Sequence, residues 1–134
     1  MTLETMEPDP IFDEEAHSDT VETLAEYDDL RYIVWGGDWC GDCRAQLPTF
    51  GAALQAAGVG DDRVEEIPVE KIENGSKAGP KVEEYGIEYI PTVVVEHVSR
   101  GETDGEEIAR FVEQEPVSIP VYLAEKIRDY FREK

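Results

Sequence analysis

Cys40 and Cys43 are the residues whose type and spacing can do chemistry in this chain. They stand where an apolar run gives way to a helical pattern, so both thiols fall in a first helical turn. Two thiols three residues apart on such a turn can close a small disulfide. A helix N-terminus presents unpaired N–H groups and partial positive charge, which favours a thiolate at Cys40. Cys40, the outer member, is then the nucleophile, and Cys43, one turn inward, the resolving thiol. The same spacing is half of a zinc site, but zinc takes four ligands. The other candidates, His17 and His97, are isolated, so no metal is expected. A structural bridge or an inert cysteine pair is a further reading of the spacing. Trp39, beside Cys40, is read as covering the thiol rim.

The rest of the composition narrows the setting. The chain has 134 residues, which suits one domain. Its 32 acidic and 12 basic residues give a formal charge of -20, which argues against nucleic acid and anionic membranes as partners. No stretch approaches the roughly 18 apolar residues of a membrane span. The opening MTLETMEPDPIFDEE has neither a basic flank nor an apolar segment, so no secretory signal and a cytoplasmic setting are expected. Acidic residues run along the whole chain, while the apolar runs RYIVWGG, IPTVVVEHV and VYLAEKIRDYF recur among them. That is a folded domain with a carboxylate-dense surface, not a disordered one. Salt near 1 M shortens the Debye length to about 3 Å and screens such self-repulsion, so the composition is read as halophilic.

The elements that must position the thiols follow from periodicity. Residues 1–17 read as a polar N-terminal arm and 18–134 as the domain. A helix is expected over 18–29, capped by Ser18 or Asp19, with Val21, Leu24 and Ala25 on its packed face. A buried strand over 30–35 ends at Gly36-Gly37. The helix after Cys40 carries Leu47, Phe50, Leu54 and Ala57 on one side, contains Pro48, and stops at Gly58 and Gly60. A second strand spans 64–69 despite Pro68. Asn74-Gly75 marks a turn, and a short helix over 81–85 stops at Gly86. A strand over 93–95 and a returning strand over 106–113 make a hairpin, turning near Arg100-Gly101 and Asp104-Gly105. Pro116 and Pro120 break the chain before a closing helix over 121–131. The order is α-β-α-β-α-β-β-α, an α/β fold with a mixed central sheet: a parallel βαβ half, a C-terminal hairpin, and helices on both faces.

With these elements in place the chain resembles the thioredoxin family. The resemblance is carried by Trp39-Cys40-Gly41-Asp42-Cys43-Arg44, by Pro48 five residues after the second cysteine, and by Tyr85-Gly86-Ile87 followed by Ile90-Pro91-Thr92. It implies a thioredoxin fold, a Cys40–Cys43 dithiol cycling with its disulfide, and a cis bond at Ile90-Pro91, where Ile90 and Pro91 meet the substrate peptide. It also implies protein-disulfide reductase activity without a bound cofactor, in a monomer. The expected partners are disulfide-containing proteins and a thioredoxin-reductase-like flavoprotein donor. An adaptor that keeps the cysteines for regulation is the alternative.

The chain also departs from the family pattern. Asp42 replaces the usual proline between the thiols and is expected to tune Cys40. Val34 stands where the family has a buried acid. Glu66 is expected on the neighbouring strand in the same region, as a proton acceptor for Cys43. Glu113 aligns with a glycine of the substrate groove.

Overall fold

The apolar run 30–36 forms the central strand β1 (Leu30–Gly36), in which every residue but Arg31 is buried. The structure is a computed structural model that describes residues 3–27, 29–37, 40–71, 77–78, 81–98, 105–113 and 115–132. Around β1 the chain places α1 (Ser18–Glu26), α2 (Gly41–Ala57), β2 (Val64–Pro68), β3 (Glu70–Lys71), β4 (Lys77–Ala78), α3 (Val82–Tyr85), β5 (Thr92–His97), β6 (Glu106–Val112) and α4 (Ile119–Arg132). Single 3₁₀ turns occur at Glu4–Met6 and Asp61–Arg63. The main sheet runs β2-β1-β5-β6, and β3 pairs with β4 separately. β1 is parallel to β2 and antiparallel to β5, which is antiparallel to β6. This is the thioredoxin-like mixed sheet expected above, with a parallel βαβ half and a closing hairpin. Pro68 ends β2 at the sheet edge, where its missing N–H breaks no ladder bond.

Two ring pairs assign the faces. Tyr32 meets Phe50 of α2 with centroids 6.1 Å apart, and Trp35 meets Tyr85 of α3 at 5.0 Å. Tyr32 and Trp35 are three residues apart on one strand, so they point to opposite faces and helices cover both. Phe111 shares the Tyr32 face through the register Phe111–Val93–Val34 and packs on Tyr122 of α4 at 5.5 Å. On the other face Glu96 is buried but satisfied: Arg31 Nε donates to its carboxylate at 3.2 Å and Tyr85 Oη at 2.7 Å. No helix among the described residues is long and apolar enough to cross a membrane.

Several expectations shift. α1 is capped by His17, not Ser18 or Asp19, and it buries Thr20, Thr23 and Leu24 while Ala25 is exposed. Thr23 tolerates burial because its hydroxyl donates to the Asp19 carbonyl at 2.9 Å and accepts from Arg128 at 2.8 Å. Pro120 does not break the chain before the last helix. It lies in the first turn of α4, where a missing N–H leaves no intrahelical bond unmade. The turns expected at Asn74-Gly75 and Arg100-Gly101 lie outside the described residues, as do Asp38 and Trp39.

The N-terminal segment, expected as a polar arm, contributes to the core. Leu3 and Met6 are buried. The Leu3 N–H donates to Glu66 Oε1 at 2.8 Å, and the Asp9 N–H to the Pro48 carbonyl at 3.1 Å. The segment therefore straps α2 to the β2 edge. Two apolar residues among acids carry no period, so pattern alone does not reveal the contact.

Candidate dithiol site

The site sits where β1 hands over to α2. Cys40 is the N-cap of α2 with extended backbone (φ −91°, ψ 126°); its N–H donates to the Gly37 carbonyl at 3.0 Å. Cys40 is half-buried and Cys43 fully buried, and both are free thiols. The Gly37 N–H donates to Cys43 Sγ at 3.4 Å, and Cys40 Sγ faces the Ile90 carbonyl at 4.0 Å. Helix geometry thus makes one thiol accessible and the other enclosed.

Burial pushes the Cys43 thiol up to about 12. The Gly37 N–H pulls it the other way, while the hydrogen bond and charge of Cys40 and the charge of Asp42 push with burial. Cys43 is consequently a thiol at neutral pH, and its sulfur becomes a nucleophile only as its proton leaves. A thiol with that value is roughly one ten-thousandth ionised at pH 8. Alkylation at pH 8 followed by mass mapping should therefore label Cys40 at least about a hundredfold faster than Cys43. Comparable rates at the two sulfurs would reverse their assignment.

The other expected site residues fall as follows. The Ile90–Pro91 peptide is cis, with both residues buried. Thr92 Oγ1 donates to the Tyr89 carbonyl at 2.5 Å and closes the turn that aims the Ile90 carbonyl at Cys40. Asp42 lies in the first turn of α2, half-buried. Glu66 is in register with Val34, the position where the resemblance puts an acid. Its carboxylate accepts the Leu3 amide, while among the described residues the charges acting on the Cys43 thiol are those of Cys40 and Asp42. Glu113 follows β6 with φ +52°, a conformation that suits the glycine with which the resemblance aligns it.

Sequence reasoning missed three contributors. Gly37 supplies the N–H on Cys43 Sγ. Leu3 joins the same chamber: a methyl built on Gly36 would lie 3.0 Å from Leu47 Cδ1, 3.2 Å from Leu3 Cδ1 and 3.5 Å from Cys43 Sγ. Gln46 Nε2 donates to the Glu113 carbonyl at 2.7 Å. The Gly36-Gly37 pair was a visible signal for the first; the other two depend on partners distant in sequence.

Neither histidine approaches the thiols. His17 Nδ1 contacts the Asp13 carbonyl, and His97 lies between Asp29 and Tyr130. Among the described residues, no group of three or more His, Cys, Asp or Glu is placed to hold a metal ion.

No family model matches the chain, and no curated protein matches it. Among solved structures it is similar to mitochondrial thioredoxin 3 from Saccharomyces cerevisiae in its oxidized form. The likeness has 21% identity and a TM-score of 0.47, over 81% of this chain and 85% of that one.

Proposed function

We propose that the protein is a thiol-disulfide oxidoreductase that reduces disulfides in other proteins. The observation that carries this reading is the asymmetry of the thiol pair: Cys40 half-buried at the head of α2, Cys43 enclosed behind it with a backbone N–H on its sulfur. An accessible thiol backed by an enclosed one is what nucleophilic attack followed by internal resolution requires.

In the proposed cycle the Cys40 thiolate attacks one sulfur of a target disulfide. The S–S bond breaks, the second target sulfur leaves as a thiolate and takes a proton from water, and a mixed disulfide forms. Cys43 then gives its proton to water and attacks Cys40 Sγ. The first target sulfur leaves, also as a thiolate, and the Cys40–Cys43 disulfide remains. Two electrons have passed from the dithiol to the target. A dithiol or flavoprotein reductant of thioredoxin-reductase type restores the thiols. The Ile90 carbonyl beside Cys40 supports a target strand docking on the Ile90–Pro91 turn. The acidic surface is proposed to suit molar salt, where its repulsion is screened.

Insulin reduction in molar potassium chloride, with a chemical dithiol as donor, tests the reading. The wild type should accelerate reduction, Cys40→Ser should fall to the uncatalysed rate, and Cys43→Ser should accumulate a mixed disulfide visible by mass. A wild-type rate at background would leave the adaptor reading instead.

A further inference from the structure

We propose that Gln46 is a positioning residue for this exchange, tying the helix that carries both thiols to the turn on which a substrate strand would dock. The proposal rests on the oxidoreductase reading above. Gln46 is half-buried on α2, three residues and so about one turn beyond Cys43. Its Nε2 donates to the Glu113 carbonyl at 2.7 Å, across 67 residues of chain. The Glu113 N–H donates in turn to the Pro91 carbonyl at 2.8 Å. Two successive hydrogen bonds thus run from α2 through one residue, Glu113, to the Ile90–Pro91 turn. That turn presents the Ile90 carbonyl 4.0 Å from Cys40 Sγ.

Glu113 is the weak link that makes the Gln46 contact matter. With φ +52° it occupies a left-handed conformation that a residue with a Cβ adopts at a cost. The local preference of the chain does not hold this carbonyl in place; the donor on α2 does. The polarity is unambiguous, since a carbonyl only accepts and the amide must present its nitrogen. Disulfide exchange needs the attacking sulfur aligned with the target S–S bond, and a misplacement of about 1 Å can lower a rate about a hundredfold. A small reagent that reaches Cys40 directly needs no such alignment. Loss of the Gln46 donor should therefore separate the two kinds of reaction.

The experiment uses the full chain and two donor-less variants, Gln46→Met, similar in length, and Gln46→Glu, the same shape with an acceptor facing an acceptor. Insulin reduction and the alkylation rate of Cys40 by iodoacetamide are measured on each. Both variants should lose about tenfold in kcat/KM for insulin, with a rise in KM, while Cys40 alkylation stays within about twofold of wild type. Wild-type insulin kinetics in Gln46→Met would overturn the proposal. So would an equal loss in both reactions, which marks general disruption of the helix end, or a loss in Gln46→Met absent from Gln46→Glu. A wild-type protein inactive on insulin would instead overturn the oxidoreductase reading, and the positioning role with it.

Discussion

Raising the pH from about 9 to about 12 is expected to unfold this protein, because two buried groups must ionise in that window. Burial pushes the Cys43 thiol up to about 12, and burial likewise pushes the Tyr32 phenol up to about 12, with Arg63 pulling it down. In an unfolded chain these groups titrate near ~8.5 and ~10. Both folded values are raised, so the stabilisation is fully present below the unfolded values. It is lost as the pH climbs through them toward the folded ones. At about 1.4 kcal/mol per unit the two groups together amount to several kcal/mol, a large share of the ~5–15 kcal/mol that holds a domain together. Each ionisation also adds negative charge to a chain already at -20. Thermal melts at constant salt from pH 7 to 11.5 read the effect. A melting temperature flat to pH 11 would remove it.

Tyr32→Phe sharpens that expectation. The Tyr32 hydroxyl is buried and has no hydrogen-bond partner among the described residues. An unsatisfied buried polar group costs about 1–3 kcal/mol, and replacing it by an apolar atom set of the same shape recovers much of this. The variant should gain about 1 kcal/mol at neutral pH and lose less between pH 10 and 12. Destabilisation at neutral pH would mean that the hydroxyl has a partner in solution.

Gly51→Ala is expected to lift the N-terminal strap from α2. A Cβ at position 51 would lie 2.1 Å from the Met6 carbonyl oxygen and 3.0 Å from its carbon. Both are backbone atoms, so no rotamer change relieves the clash. Alanine in a helix interior otherwise gains about 1 kcal/mol over glycine. Releasing the buried Leu3 and Met6 side chains loses about 1.5–3 kcal/mol each. The clash wins, with a net loss of roughly 2–5 kcal/mol. Leu3 also shares the chamber beside Cys43, so Cys43 should react faster with alkylating reagents in the variant. Calorimetry and mass mapping check the two effects together. A variant as stable as wild type, with Cys43 equally protected, would show that the strap tolerates the methyl.

Much of this protein was legible from local pattern. The apolar run at 30–36, the Cys40-x-x-Cys43 pair at a helix start, and the glycine stop at Gly58 (φ +75°) each fix local structure through short-range physics. From them followed the order of the main elements, the mixed sheet and the dithiol candidate, but not the short β3–β4 pair. Pattern misplaced the buried face of α1, because Thr23 enters the core only when Arg128, 105 residues away, satisfies its hydroxyl. It took Pro120 as a breaker, since proline punctuates a chain unless it falls in the first turn of a helix.

By itself the sequence determined which residues can do chemistry here and which segments must carry them, since periodicity and turn preference act within a few residues. The tertiary structure decided the electrostatics. It enclosed Cys43, set the Gly37 N–H on its sulfur, gave the Glu66 carboxylate to the Leu3 amide, and joined Gln46 to Glu113. Burial and hydrogen-bond partners are properties of neighbours brought together across 6 to 67 residues, and no spacing rule reaches the longer of those separations.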